Sequence, residues 1–292
     1  MLRRGGVHLG SGLRSLLWVV LALCVACVGE PPVDSDQDPI PSDVLRDVVR
    51  RARETGAVGA FSEALAQYPD SPTLSRAHQD HLRGILPSEA FLLKYRARAE
   101  AEPGSSLAQY LLGRAVIEDR DTAYAAFRRA AGLDPLNPWP VIGMAYLHAN
   151  EGDLFGTTNV YKAGIEAAPR SALLHLFLGN QYLDMRLHVK AQREYEIVRT
   201  LAPDNHEARA GLGKVYAMLL RFDQARELLE SVREVDPSVA HIYPTLASLY
   251  LQERKPRAAA AAYRTGLNYG LPPDESLAAQ IRAAELVVET ER

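Results

Sequence analysis

Prolines recur along this chain at a fixed interval. Pro135, Pro169, Pro203 and Pro237 stand 34 residues apart. Pro103 lies 32 residues before that run and Pro69 a further 34 before it, while the next rung downstream falls at Leu271, beside Pro272. A period of that length restricts the chain to architectures in which one small supersecondary unit is repeated and stacked. Length then counts units instead of separate cores, so 292 residues need not mean two ordinary domains.

Between the prolines the apolar residues keep one register. Before Pro203 come Leu178, Gly179 and Tyr182, then Ala191, Tyr195 and Val198. Before Pro237 stand Leu212, Gly213 and Tyr216, then Phe222, Ala225, Leu229 and Val232. Tyr243, Leu246, Ala247, Tyr250, Ala259, Tyr263 and Gly266 repeat the pattern once more, and Leu112, Gly113, Val116, Ala123, Phe127 and Ala130 precede Pro135. Large residues three or four positions from a small one form one face of a helix, and the small residue admits a neighbouring helix closely. Proline then stops the second helix of each pair, since it lacks a donor and restricts the residue before it.

This pattern resembles the tetratricopeptide repeat, a helix–turn–helix unit marked by W-x2-L-G-x2-Y, A-x3-F-x2-A and P. The resemblance implies an all-α fold, a right-handed solenoid of helix pairs with a C-terminal capping helix. His175 departs from the family by standing where tryptophan is preferred. The unit ending at Pro135 has lost two residues from its turn, around Glu118–Asp121. For the unit holding Trp139 two registers compete. One buries Trp139, Gly143 and Tyr146; the other, preferred because it keeps the frame and puts Gly152-Asp153 at the turn, buries Val141, Met144, Ala145 and His148. Residues 106–273 read as five regular units and residues 42–105 as two degenerate pairs, polar around His78-Gln79-Asp80-His81 yet retaining Phe61, Ala64, Phe91 and Tyr95. Residues 274–292 are expected to form the terminal helix, capped by Asp274, with Leu277, Ile281, Ala284 and Val288 inward and Gln280, Arg282 and Glu289 outward.

The N-terminus reads as an export signal over residues 1–26. Arg3 and Arg4 open it, Arg14 precedes the apolar run Leu16–Ala26, and those eleven residues fall short of the roughly 20 a spanning helix needs. Val25-Ala26-Cys27 resembles the lipobox of bacterial lipoproteins, which assigns Cys27 as the lipidated residue. Cys24 stands where leucine is usual; cleavage before Cys24 would put Leu23 where a small residue is wanted. A secretory signal cut near Ala26 and an uncleaved anchor are the alternatives. Val28 instead of Asp after the cysteine points to the outer membrane, with the chain facing the periplasm. Residues 27–41, rich in proline and acidic side chains, read as a flexible tether whose last fourteen residues reach roughly 40 Å.

Catalytic chemistry finds no foothold. The body beyond residue 27 has no cysteine, which excludes disulfides, cysteine zinc sites and a catalytic thiol there. No glycine-rich phosphate loop or nucleophile elbow is present. His78 and His81 lie three apart on a helix but lack a third ligand, and they read as solvated or capping; His148 and Glu151 are read alike. No cofactor or metal is expected. Without Arg3, Arg4 and Arg14, the 33 basic residues fall to 30 against 36 acidic ones, a balance that disfavours nucleic acid.

Binding is therefore expected on the concave face that the resemblance implies for the first helices. Its candidate residues are Leu107, Tyr110, Arg114, Ile117, Trp139, Ile142, Tyr146 and Asn150, then Leu173, Leu176, Asn180, Leu183 and Lys214. Glu207 and Met218 continue the series. An apolar surface of this kind suits a protein or peptide partner. A clamp for a C-terminal carboxylate, which some members of the family carry, is disfavoured because Leu176 and Gly211 replace two of its residues. The expectation is a non-catalytic scaffold anchored by lipid in the bacterial envelope, similar in architecture to lipoproteins that assist pilus secretin assembly or recruit envelope proteases. A subunit accessory to cell-wall or polysaccharide enzymes, or a cryptic enzyme, is the alternative.

Overall fold

The computed structural model describes residues 38–55 and 59–290; the leader, Cys27 and most of the acidic stretch lie outside them. Among the described residues there are fifteen α-helices and no strand. They run as pairs: α1 (Ser42–Thr55) with α2 (Gly59–Gln67), α3 (Pro72–Ile85) with α4 (Ser88–Ala101), and α5 (Ser106–Ala115) with α6 (Arg120–Leu133). Then come α7 (Pro138–Asn150) with α8 (Leu154–Ala167), α9 (Ala172–Asp184) with α10 (His188–Leu201), and α11 (His206–Met218) with α12 (Phe222–Val235). The last pair is α13 (Tyr243–Gln252) with α14 (Pro256–Asn268), followed by α15 (Glu275–Thr290). Two compact units result, one ending at Val215 and the other beginning at Tyr216.

Each rung of the proline ladder carries a second signal two residues on. Ser71, Ser105, Asn137, Ser171 and Asn205 cap α3, α5, α7, α9 and α11 in turn. Their side-chain oxygens accept from the backbone N–H of Leu74 (3.0 Å), Ala108 (3.1 Å), Trp139 (3.1 Å), Leu174 (3.4 Å) and Ala208 (2.8 Å). Proline ends one helix and Ser or Asn starts the next, so each unit boundary is written in three residues. The sixth rung breaks the rule: Val239 has no side-chain acceptor, and the chain enters α13 through a 3₁₀ turn, Ala240–Ile242.

A matching ladder marks the turns inside the pairs. Gly152, Arg186, Leu220 and Arg254 all have positive φ, at 74°, 58°, 61° and 56°. Such a conformation lets the chain reverse after the first helix, and only glycine adopts it without a side-chain penalty. The unit of α5 and α6 has dispensed with it. α5 is 10 residues long against 13 for α7 and α9, and Asp119 caps α6 directly, accepting from Thr122 N–H at 3.2 Å. Leu220, 74% exposed, therefore carries strain with little packing to offset it. Leu220→Gly is expected to stabilise the protein by about 0.5–1 kcal/mol, and Gly152→Ala to destabilise it by about 1 kcal/mol, as read by thermal or denaturant unfolding.

Two aromatics of second helices, Tyr195 and Phe127, are each set against glycines of the first helices on both sides. A Cβ placed on Gly179 of α9 would come within 2.9 Å of the Tyr195 ring, and one on Gly211 of α11 within 2.5 Å. Phe127 of α6 is flanked the same way by Gly113 of α5 (2.6 Å) and Gly143 of α7 (2.8 Å). In α7 Val141 and Ala145 are buried as the second register expects, Met144 and His148 are half-buried like Trp139 and Tyr146, and Gly143 packs on Phe127 as the first expects, so neither register holds in full.

The folded body starts before α1. Ile40 is buried among Leu45, Val48, Phe61 and Leu74, and the Asp38 carboxylate accepts from the Ser71 hydroxyl (2.5 Å) and the Thr73 N–H (2.9 Å). The segment expected to be wholly tether thus contributes its last residues to the core, because Ile40 has apolar neighbours to join and Asp38 meets the free N–H groups that open α3. At the other end α15 packs on α14 through buried Leu277 and Ile281, with the Asp274 carboxylate accepting from Leu277 N–H at 3.0 Å. No helix among the described residues is long and apolar enough to cross a membrane.

Candidate functional site: the face of the first helices

Within the larger unit, α3, α5, α7 and α9 pack side by side, each against the next. Their outward residues form the surface on which binding is expected. The structure redistributes the candidates. Tyr110 (3% exposed), Leu173 (4%) and Leu176 (5%) are buried, not presented. Tyr110 sits against the Phe127 ring, centroids 5.8 Å apart, as part of the core. Tyr110 finds its cover on α6, the other helix of its pair, a neighbour that single-helix periodicity does not see. Leu107, Ile117, Trp139, Ile142, Tyr146 and Leu183 are half-buried. Asn150, Asn180 and Lys214 are exposed, and Asn180 Oδ1 accepts from the Tyr195 hydroxyl at 2.6 Å. The face is accordingly less apolar than its sequence suggests.

Arg114 is occupied. Its guanidinium donates to Gln79 Oε1 (2.9 Å) and to Asp80 Oδ1 (2.7 Å), and lies 3.5 Å from the Arg76 carbonyl. Gln79 Nε2 donates to the Leu111 carbonyl (2.7 Å) and Arg83 to the Arg114 carbonyl (2.6 Å). Together these clasp α3 to α5. Burial works against the charge on Arg114, but Asp80 and the tyrosines Tyr110 and Tyr95 more than offset it, so its pKa is raised. Gln79 and Asp80 of the polar run in α3 are thereby explained as the complement of Arg114.

Beyond the clasp, Arg76 of α3 reaches past α5 and lays its guanidinium over the Trp139 ring of α7, 3.6 Å from the centroid. Its Nε is enclosed without a hydrogen-bond partner, and burial lowers its pKa. Next to this stack the capped starts of α3, α5 and α7 border a cavity of about 490 Å³, lined among others by Asp38, Leu107, Asn137, Trp139 and Leu173. Arg76 is not among the residues expected on this face. The register that gives Leu107, Tyr110, Arg114 and Ile117 falls, 34 residues upstream, on Thr73, Arg76, Asp80 and Arg83, and would have found both the clasp and the stack.

The histidines have structural work. His175 Nδ1 faces Glu194 Oε2 at 2.7 Å and its Nε2 faces the Pro169 carbonyl at 3.2 Å, tying α9 to α10 and to the preceding loop where the family places tryptophan. The Glu194 hydrogen bond raises its pKa against the opposing effect of burial. His148 pairs with Asp153 at 3.0 Å and Glu151 with Arg120. His78 stacks on Phe61 and His81 meets it at a tilt, centroids 5.2 and 5.3 Å away, so both are packed instead of solvated. Among the described residues no group of three or more His, Cys, Asp or Glu could hold a metal ion.

A stack of paired helices with capped boundaries, close glycine–aromatic contacts and an open face of first helices defines the class of helical-repeat interaction proteins. A family model for the tetratricopeptide repeat matches residues 182–249, so this stretch carries the repeat's sequence pattern within an all-helical array of paired helices. Curated proteins give no match. Among solved structures, PilF of Pseudomonas aeruginosa is similar at 20% identity and a TM-score of 0.54, over 67% of this chain and 88% of that one. The anaphase-promoting-complex assembly Cut9–Hcn1 is similar at 15% identity and 0.58, over 93% of this chain and 52% of that one. At these identities the likeness concerns the fold.

Proposed function

We propose that this protein is a non-catalytic scaffold, held by a lipid on Cys27 in the bacterial envelope, that captures a segment of a partner protein on the face of its first helices. The observation that carries the reading is the Arg76–Trp139 stack beside the cavity at the capped ends of α3, α5 and α7. A flat aromatic with a guanidinium on it offers an apolar surface and a charge together, a combination enriched at binding hot spots. The anchor rests on the lipobox-like Val25-Ala26-Cys27 and the short apolar run before it; a periplasm-facing outer-membrane position follows from Val28.

In-cell crosslinking on intact envelopes tests the capture, and fatty-acid labelling tests the anchor. Trp139→Ala should cut the yield of the crosslinked partner at least tenfold with helicity unchanged. An unchanged yield would remove this face from consideration. Fatty-acid labelling should vanish in Cys27→Ser, and labelling that persists would refute the anchor.

A further inference from the structure

A second cavity lies away from that face, inside the packing between repeats. It measures about 300 Å³ and is bordered by α2, α3, α4 and α5 through Leu65, Ser75, His78, Lys94, Tyr95, Arg98 and Leu111. Its position in the repeat is informative. His78 stands nine residues after Pro69; the same place after the later rungs holds Leu112, Met144, Leu178, Leu212 and Leu246. Arg98 stands five before Pro103, where the following units carry Ala130, Gly164, Val198, Val232 and Gly266. Of these, Ala130, Leu178, Val198, Leu212, Val232 and Leu246 are buried core. Only in this unit are both places polar, and here the core is hollow.

We propose that this cavity is a binding site for a small organic carboxylate. Ser75 is 3% exposed and its hydroxyl has no hydrogen-bond partner; His78 Nε2 is enclosed and likewise unpartnered. An enclosed polar atom left unpaired costs about 1–3 kcal/mol, so the two await acceptors. Lys94 and Arg98 add positive charge at the border, Arg98 also meeting Glu102 of its own helix at 3.4 Å, and among the described residues no carboxylate lines the space. Burial foremost, with Lys94, His81 and Arg98, holds the His78 pKa down to about 4, so at neutral pH its ring is uncharged and free to donate. Leu65, Leu111 and Tyr95 supply an apolar wall for a short carbon body. Water would satisfy the hydroxyl and the imidazole, but not the charge of Lys94, and Glu102 reaches Arg98 through one long contact only. A carboxylate answers all four groups: oxygens to Ser75 and His78, charge to Lys94 and Arg98.

The test is titration of the full chain at neutral pH with butyrate, with a C-terminally amidated peptide carrying one glutamate, and with inorganic phosphate. The His78 ring resonances and calorimetry report binding. Saturable binding of butyrate indicates a free small molecule, and tighter binding of the peptide indicates a protein side chain. Either supports the site. Saturation by phosphate alone, or by none of the three, overturns it. Arg98→Gln should weaken binding at least tenfold. His78→Leu, the residue of the sibling units, should abolish binding and raise the melting temperature by several degrees. Unchanged affinity in both variants would place the anion elsewhere and sink the proposal.

Discussion

Tyr195→Ala is expected to lower the unfolding free energy by about 3–5 kcal/mol, the largest effect of any single truncation considered for this chain. The ring is fully enclosed, set against the backbone of Gly179 on its own pair and Gly211 on the next. Deleting it opens a space that glycines cannot fill, since neither carries a side chain to relax into it. The phenol adds a smaller part through its bond to Asn180, so Tyr195→Phe is expected to cost only about 1 kcal/mol. Denaturant unfolding of the two variants separates these contributions. Equal losses would show that the hydroxyl, not the ring, holds α9, α10 and α11 together. Burial pushes the Tyr195 pKa well up, so the phenol stays protonated at any ordinary pH and the comparison is free of titration.

Arg114→Met is expected to cost about 2–4 kcal/mol, and to spend it unevenly. The substitution keeps the apolar stem but strips Gln79 Oε1 and Asp80 of their donor, leaving the clasp between α3 and α5 half made. Repeat arrays are stabilised by nearest-neighbour terms, so the loss should fall on one junction. Native-state hydrogen exchange should show α1–α4 opening roughly a hundredfold more often while α9 and α10 hold their protection. Uniform acceleration would mean that the larger unit unfolds as one body.

Much of the fold was legible. The proline interval gave the unit, and the pairing of Leu178-Gly179 with Tyr195 gave its interior, because helix periodicity and close approach are properties of neighbouring residues. The two residues lost before Pro135 were expected to shorten the turn, but they shorten α5 instead: it has 10 residues against 13 in α7, while residues 116–119 still separate it from α6. Other local signals were there unread: Ser71, Ser105, Asn137, Ser171 and Asn205 repeat with the prolines and state where each first helix begins. The candidate site was harder. Tyr110, Leu173 and Leu176 look exposed on a single helix and are covered only once the next helix lies alongside. Arg114 looked available until Gln79 and Asp80, more than thirty residues away, were seen to hold it.

By itself, then, the sequence determined the repeat, its register, its shortened member and the absence of cysteine chemistry from the body, since each is written in residues close along the chain. Tertiary structure decided which side chains remain free to bind. That choice depends on which residues from different repeats meet: Arg76 over Trp139, Arg114 against Asp80, and the hollow that His78 and Arg98 leave where other repeats pack leucine and valine.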